Sequence, residues 1–292
     1  MERTAAQRAG GRVRTPLLRR LGASLAHPLT RGLDLDDPRT TAARRRIIRE
    51  KAFLRKVYEG WYRDLAGAVP PGPGEVLELG SGAGFLADFI PGLITSELFP
   101  CPGIQRVVDA RELPFEGGSL RAIVMLDVLH HIPGPRRFLA EAARCIRPGG
   151  VVAMIEPWNT PWSRLVYTRL HHEPFLPAAP RWEFPASGPL SGANGALPWI
   201  IFHRDRALFE REFPQWRIGA VRLHTPLRYL LSGGVSMRAL LPGVAHGPLR
   251  ALEGLLAPLN PALAMFAQIV LVRTPAPAVG ERPAGAGIIG AP

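Results

Sequence analysis

Cysteine is scarce in this chain: Cys101 and Cys145 are the two among 292 residues. They lie far apart, with no C-x-x-C and no histidine at ligand spacing, so neither a disulfide framework nor a thiolate zinc site is indicated, and a reducing cytoplasm fits. Lysine is scarcer than arginine. Lys51 and Lys56 are the two lysines among 36 basic residues, so the net charge of +12 is an arginine charge. It is also local: residues 1–60 hold 15 basic against 6 acidic residues, residues 61–292 hold 21 against 18. No nucleic-acid-binding module accompanies the arginines, and nucleic acid is not an expected partner. Long apolar runs are missing as well. Residues 17–29 are interrupted by Gly22, Ser24, His27 and Pro28, which argues against a signal peptide. Residues 255–272 are broken by Pro258, Asn260 and Pro261, short of the roughly 18 residues of a spanning helix. There is no internal repeat. The expectation is a soluble, cytoplasmic protein.

What is present is an apolar fraction of 47%, enough for one α/β domain with additions. Residues 1–40 are basic and punctuated by Gly and Pro, and read as a flexible segment. In residues 41–69 apolar positions recur at three and four, the period of an amphipathic helix, here expected as a lid. Residues 75–79 then form a strand that breaks into Gly80-Ser81-Gly82-Ala83-Gly84. A loop of glycines lets a ligand lie against backbone, beyond the carboxyl end of the first strand of a nucleotide-binding sheet. The spacing is G-x-G-x-G, not the G-x-G-x-x-G of a dinucleotide site, and Glu78 stands just before it. A carboxylate there repels a pyrophosphate and welcomes a cation, which disfavours a nicotinamide-dependent oxidoreductase.

Further along, a helix is expected over 84–89, strands over 93–97, 104–108, 121–127 and 151–156, and a helix over 135–146 ended by Pro148-Gly149-Gly150. Residues 98–105 are too short and too rich in Pro and Gly for a crossover helix. Residues 158–215 form an insertion whose first part, 158–200, is irregular and rich in Pro and aromatics, the usual make-up of a cap. A helix over 205–212 and strands over 216–223 and 265–273 close the domain; 274–292 is a disordered tail of Pro, Gly and Ala.

The glycine loop with Glu78, Asp109-Ala110 ahead of Leu113-Pro114-Phe115, Asp127-Val128-Leu129-His130-His131, and residues 139–150 ending in Arg147-Pro148-Gly149-Gly150 occur in family order and resemble a class I S-adenosylmethionine-dependent methyltransferase. The match covers roughly residues 70–157. The resemblance implies a doubly wound, mostly parallel, seven-stranded Rossmann-like sheet with an N-terminal helical lid and an insertion after strand five, in one domain over 41–273. It implies S-adenosylmethionine as cofactor. Glu78 is then near the methionyl ammonium. Gly80, Ser81, Gly82 and Gly84 make room for the methionyl part and ribose, Glu97 takes the ribose, and Asp109 with Ala110 takes the adenine.

An in-line displacement with an activated leaving group asks mainly for positioning. An acceptor hydroxyl or amine also needs a base, for which His130 and His131, after strand four, are the candidates; the competing reading is packing near the cofactor, and adjacent residues on a strand point to opposite faces. Asp127 contacts the methionyl end or caps the next turn. Glu156 borders the acceptor side or simply ends its strand. His171, His172 and Glu173 suit contact with an acceptor better than a metal, because adjacent ligands do not normally converge on one ion, and no metal is expected. Residues 222–241 are basic and apolar, either a core helix with an arginine edge or a peripheral membrane contact. The acceptor is a small molecule, glycan or lipid-type compound, methylated at oxygen. The alternative is a cofactor-binding regulatory or partner subunit without transfer activity.

Overall fold

The computed structural model describes residues 27–30, 38–171, 173–185 and 192–275. Seven strands form one sheet: β1 (Glu75–Leu79), β2 (Leu93–Glu97), β3 (Arg106–Val107), β4 (Leu120–Leu126), β5 (Ile146–Pro157), β6 (Trp216–His224) and β7 (Phe266–Arg273), in the order β3-β2-β1-β4-β5-β7-β6. β1 pairs in parallel with both β2 and β4, and β4 with β5; β7 runs antiparallel between β5 and β6. The order reverses at β1, so the carboxyl ends of β1 and β4 open a crevice where such sheets bind ligands. β4 and β5 are the buried centre: Ala122, Ile123, Val124, Met125 and Val152, Ala153, Met154, Ile155 are all 0% exposed. That explains their unbroken apolar sequence, since both faces are covered.

The amphipathic stretch expected as one lid helix is two helices, α1 (Pro38–Glu50) and α2 (Ala52–Ala68). Lys51 between them is extended (φ −79°, ψ 92°), and its ammonium donates to the carbonyls of Gly234 (2.6 Å) and Met237 (2.9 Å). Burial holds the Lys51 pKa down at about 8. Lys51 therefore serves a polar contact at the point where the helix breaks. α2 is a layer of the core: Phe53, Leu54, Val57, Trp61, Tyr62 and Leu65 are buried, and the Trp61 ring lies 4.8 Å from that of Phe266 on β7. α1 contributes Thr41, Arg44 and Ile48 to the lining of the crevice.

Four other expectations change. The helix after the glycine loop shrinks to a 3-10 turn, Leu86–Asp88, because Pro91 and Gly92 (φ +72°) follow within one turn. β3 keeps only two residues at the sheet edge. α3 (Pro135–Cys145) runs directly into β5, which takes up Pro148-Gly149-Gly150 as a bulge in its pairing with β4. The insertion is more ordered than its composition suggests: α4 (Pro161–Leu170) starts at a reciprocal capping box between Thr160 and Ser163, an arrangement that satisfies two end amides. The turn Leu197–Trp199 continues as a π-helix over Ile200–Arg204 and leads into α5 (Arg206–Glu212).

The basic stripe over 222–241 is not one helix. It finishes β6, then forms the short α6 (Arg228–Ser232), where Arg228 pairs with Glu253 on α7 (His246–Leu255). No described helix is long and apolar enough to cross a membrane. Of the basic segment, residues 1–26 and 31–37 lie outside the described residues, as do His172 and residues 276–292 of the tail.

Candidate active site

A cavity of about 540 Å³ opens at the carboxyl ends of β1, β2 and β4. Its size is within the roughly 300–1,000 Å³ of small-molecule sites. Glu78, Gly80, Ser81, Gly82, Gly84, Glu97, Asp109, Ala110 and Asp127 all line it, so the residues singled out from sequence for the cofactor share one cavity.

Glu78 is 4% exposed and forms no ion pair among the described residues. Burial is the main cause of its high pKa, about 7; a hydrogen bond from Ser81 opposes the shift and the neighbouring Glu97 adds to it. Ser81 is fixed in turn, because its hydroxyl accepts from the Ser96 amide at 3.0 Å. Glu97 is also raised by burial, with its carboxylate accepting from the Leu98 amide at 3.0 Å. Two buried acids with no ion-pair partner among the described residues suit a ligand that brings a positive charge and hydroxyl donors. Asp109 is engaged differently: Arg111 donates to both of its oxygens, from Nε at 3.0 Å and Nη2 at 2.7 Å, and holds the carboxyl below its usual range.

The glycines answer to the protein as much as to a ligand. Gly80 has φ +67°, and a Cβ there would lie 2.5 Å from Val128 Cγ2; Gly82 has φ +32°, and its Cβ would meet Glu97 Oε1 at 2.8 Å. Left-handed backbone plus a blocked Cβ leaves glycine as the one residue that fits. Arg45 of α1 clasps the loop by donating to the Gly82 carbonyl at 2.7 Å.

The same cavity is lined by His131, His171, Glu173, Tyr58, Tyr229 and Arg44. Asp127 takes φ +62°, a conformation rare outside glycine and often found at functional positions. Its side chain is 41% exposed, but to the cavity, and burial from bulk water sets its pKa at about 7. Arg44 makes no hydrogen bond or ion pair among the described residues.

The two candidate bases separate. His130 is 0% exposed and does not line the cavity: its Nδ1 lies 2.8 Å from Glu156 Oε2, its Nε2 3.4 Å from Glu173 Oε2, and the surrounding carboxylates raise its pKa. This corrects the reading of His130 as a base, since an acceptor cannot reach it. His131 does line the cavity, and burial with the adjacent His130 lowers its pKa to about 3. The expectation that neighbouring side chains point apart fails here, because a 3-10 turn over Leu129–His131 brings the two rings to a centroid distance of 4.2 Å. Glu156 anchors that turn, accepting from the amides of Val128 (2.9 Å) and Leu129 (2.7 Å).

The cap delivers Glu173 and His171. Asn194 docks it by donating its amide to the His130 carbonyl at 3.0 Å, and Gly195 N donates to the Pro174 carbonyl at 2.9 Å. Sequence reasoning missed Tyr58, Tyr62, Tyr229, Arg111 and the α1 residues. The signal for the last was there: Thr41, Arg44 and Ile48 are spaced for one helix face.

Residues 94–154 match the family model described as a methyltransferase domain. The chain is 30% identical over 115 residues to an uncharacterized methyltransferase of Mycobacterium tuberculosis, covering 35% of this chain and 46% of that protein. It is 31% identical over 144 residues to a demethylmenaquinone methyltransferase of Mycobacterium sp. (strain KMS), covering 41% and 57%. The chain thus spans about half the length of the curated relatives it matches. Among solved structures, geranyl diphosphate C-methyltransferase from Streptomyces coelicolor aligns with TM-score 0.47 at 12% identity, covering 90% of this chain and all of that one (100%). An S-adenosylmethionine dependent methyltransferase from Mesorhizobium loti aligns with TM-score 0.42 at 16% identity, covering 72% and 96%.

Proposed function

Starting from a chain of the class I S-adenosylmethionine-dependent methyltransferase family, we propose that it transfers a methyl group to an oxygen of a small-molecule, glycan or lipid-type acceptor. The observation that carries this reading is the single cavity holding Glu78, the glycine loop, Glu97, Asp109-Ala110 and Asp127 together. Each has a use there. Glu78, buried without a cation, pairs an ammonium; Glu97 accepts from ribose hydroxyls at the end of β2; Asp109 and Ala110 at the end of β3 border the adenine. When bound, the sulfonium supplies an electrophilic methyl carbon that carries its own leaving group.

The chain then has to place an acceptor and remove its proton. Ile48, Tyr58, Tyr229 and Val235 give the acceptor side an apolar and aromatic lining, and Arg44, unpaired among the described residues, suits an acceptor with an anionic or strongly accepting group. Asp127 is the wall carboxylate best placed to take a proton. Glu97 and Asp109 already accept hydrogen bonds and Glu173 faces two histidines, whereas Asp127 accepts none among the described residues. It also borders the small side pocket with Tyr167 and Phe175, so it stands between the two halves of the site.

The test is release of S-adenosylhomocysteine against a panel of phenols, sugars and prenols. Asp127→Asn is expected to cut turnover about 10²- to 10⁴-fold, the range for losing a general base, while cofactor affinity stays within a few-fold. Full turnover by Asp127→Asn refutes its role as base. Cofactor binding with no product from any hydroxyl-bearing acceptor favours the partner-subunit reading.

A further inference from the structure

We propose that His130, His131 and Glu173 form a site for one divalent transition-metal ion of the Zn²⁺ type, on the acceptor side of the cavity. Their ligand atoms all lie within 4.8 Å of one another. His130 Nε2 is 3.4 Å from Glu173 Oε2, and His131 Nε2 is 3.9 Å from Glu173 Oε1. Zinc–nitrogen bonds of about 2.0–2.1 Å in a tetrahedron place donor atoms roughly 3.3–3.4 Å apart. Neighbouring histidines do not normally converge on one ion, but the 3-10 turn over Leu129–His131 brings these two rings to a centroid distance of 4.2 Å with both Nε2 atoms toward Glu173. The cluster is therefore one small side-chain adjustment from coordination. Two histidines and one carboxylate, with the remaining position open, is a ligand set known for catalytic zinc.

The second observation is how the far sides of the rings are held. His130 Nδ1 faces Glu156 Oε2 at 2.8 Å and His131 Nδ1 faces the Gly192 carbonyl at 3.3 Å. Both acceptors call for a proton on Nδ1, so Nε2 is the atom that each ring turns toward the Glu173 carboxylate. A carboxylate or a carbonyl behind each ligand histidine is the arrangement that orients imidazoles for a metal. His130 Nε2 is fully buried and faces Glu173 Oε2 at 3.4 Å without reaching hydrogen-bond geometry, a costly state for a polar atom that an ion between the two relieves. The competing use of the same atoms is a protonated His130 paired with Glu173, which requires no metal.

His131, Glu173 and His171 line the cavity, so the ion's open position faces the acceptor. The ligand it takes there is an oxygen donor, a hydroxyl or carboxylate of the acceptor. The inference does not depend on methyl transfer, and metal content is read separately from cofactor binding.

The test uses untagged full-length protein, stripped with a chelator and titrated with Zn²⁺ by calorimetry and with Co²⁺ by visible absorption. One equivalent per chain is expected, with cobalt d–d bands. Glu173→Gln and His131→Gln should each lose that equivalent, while binding of S-adenosylmethionine, the check on folding, persists. Glu156→Gln, which touches no ion, should weaken Zn²⁺ about 10- to 100-fold, as removal of outer-shell partners does. No stoichiometric ion, or an equivalent that both ligand variants retain, overturns the proposal and leaves the protonated ion pair.

Discussion

Glu78→Gln is expected to stabilise the ligand-free protein at pH 8 by about 2–3 kcal/mol and, in the same variant, to weaken S-adenosylmethionine binding roughly 10²- to 10³-fold. The stability change follows from the carboxyl's high pKa. Burial raises it from 4.5 to about 7. The folded state therefore holds the proton more tightly than the unfolded chain does. Stability is lost as pH rises from about 4.5 through 7, and the full penalty is present above that window. Gln has no charge to desolvate and can still accept from Ser81, so the gain should fade toward pH 5. Urea midpoints at pH 5 and pH 8, with the slope unchanged, check the sign. Equal midpoints for the two proteins at pH 8 contradict it. The binding loss has a separate origin: without the acid, the ligand's ammonium enters a buried site unpaired.

Gly80→Ala carries the second large effect. A methyl group at Gly80 would stand 2.5 Å from Val128 Cγ2, on a backbone with φ +67°. Left-handed backbone costs a non-glycine residue about 1–2 kcal/mol and overpacking about 1–3 kcal/mol, so a loss of roughly 2–4 kcal/mol is expected. The two parts can be divided. Val128→Ala in the same chain removes the clash and leaves the dihedral strain, so the pair should show a favourable coupling of about 1–2 kcal/mol in a double-mutant cycle. Strict additivity means Val128 is not what requires glycine. Calorimetry on Gly80→Ala should also show weaker cofactor binding, because the loop must shift.

Much of the frame is legible from local sequence. β1 and β2 run over the residues expected of them and β4 lies within a residue; β1 and β4 are near-continuous apolar runs of buried parallel strands, ended by Gly80 and Asp127. Asp109 and Glu97 could be placed because strand ends fix them against the glycine loop. What stayed hidden depends on contacts between residues far apart in the chain. The break at Lys51 exists because carbonyls some 183 residues later accept from its ammonium, and nothing near Lys51 announces them. The pairing of Glu173 with His130 and His131 requires the cap to fold back onto the β4 turn, through Asn194 and the His130 carbonyl. Pattern reasoning likewise put the two histidines on opposite faces, since it assumed a strand where a 3-10 turn forms. The glycines were read for ligand access; that each also makes way for Val128 or Glu97 could only be seen in three dimensions.

The central claim is that a cationic sulfonium compound binds beside Glu78 and the glycine loop. The direct test is calorimetric titration of the wild-type chain with S-adenosylmethionine across pH 5.5 to 8.5, a range chosen around the Glu78 pKa of about 7. One site per chain is predicted, with affinity level above about pH 7 and falling close to tenfold per pH unit below it as Glu78 takes up its proton. A folded sample that gives no binding at any pH, or one whose affinity is the same for wild type and Glu78→Gln, contradicts the account.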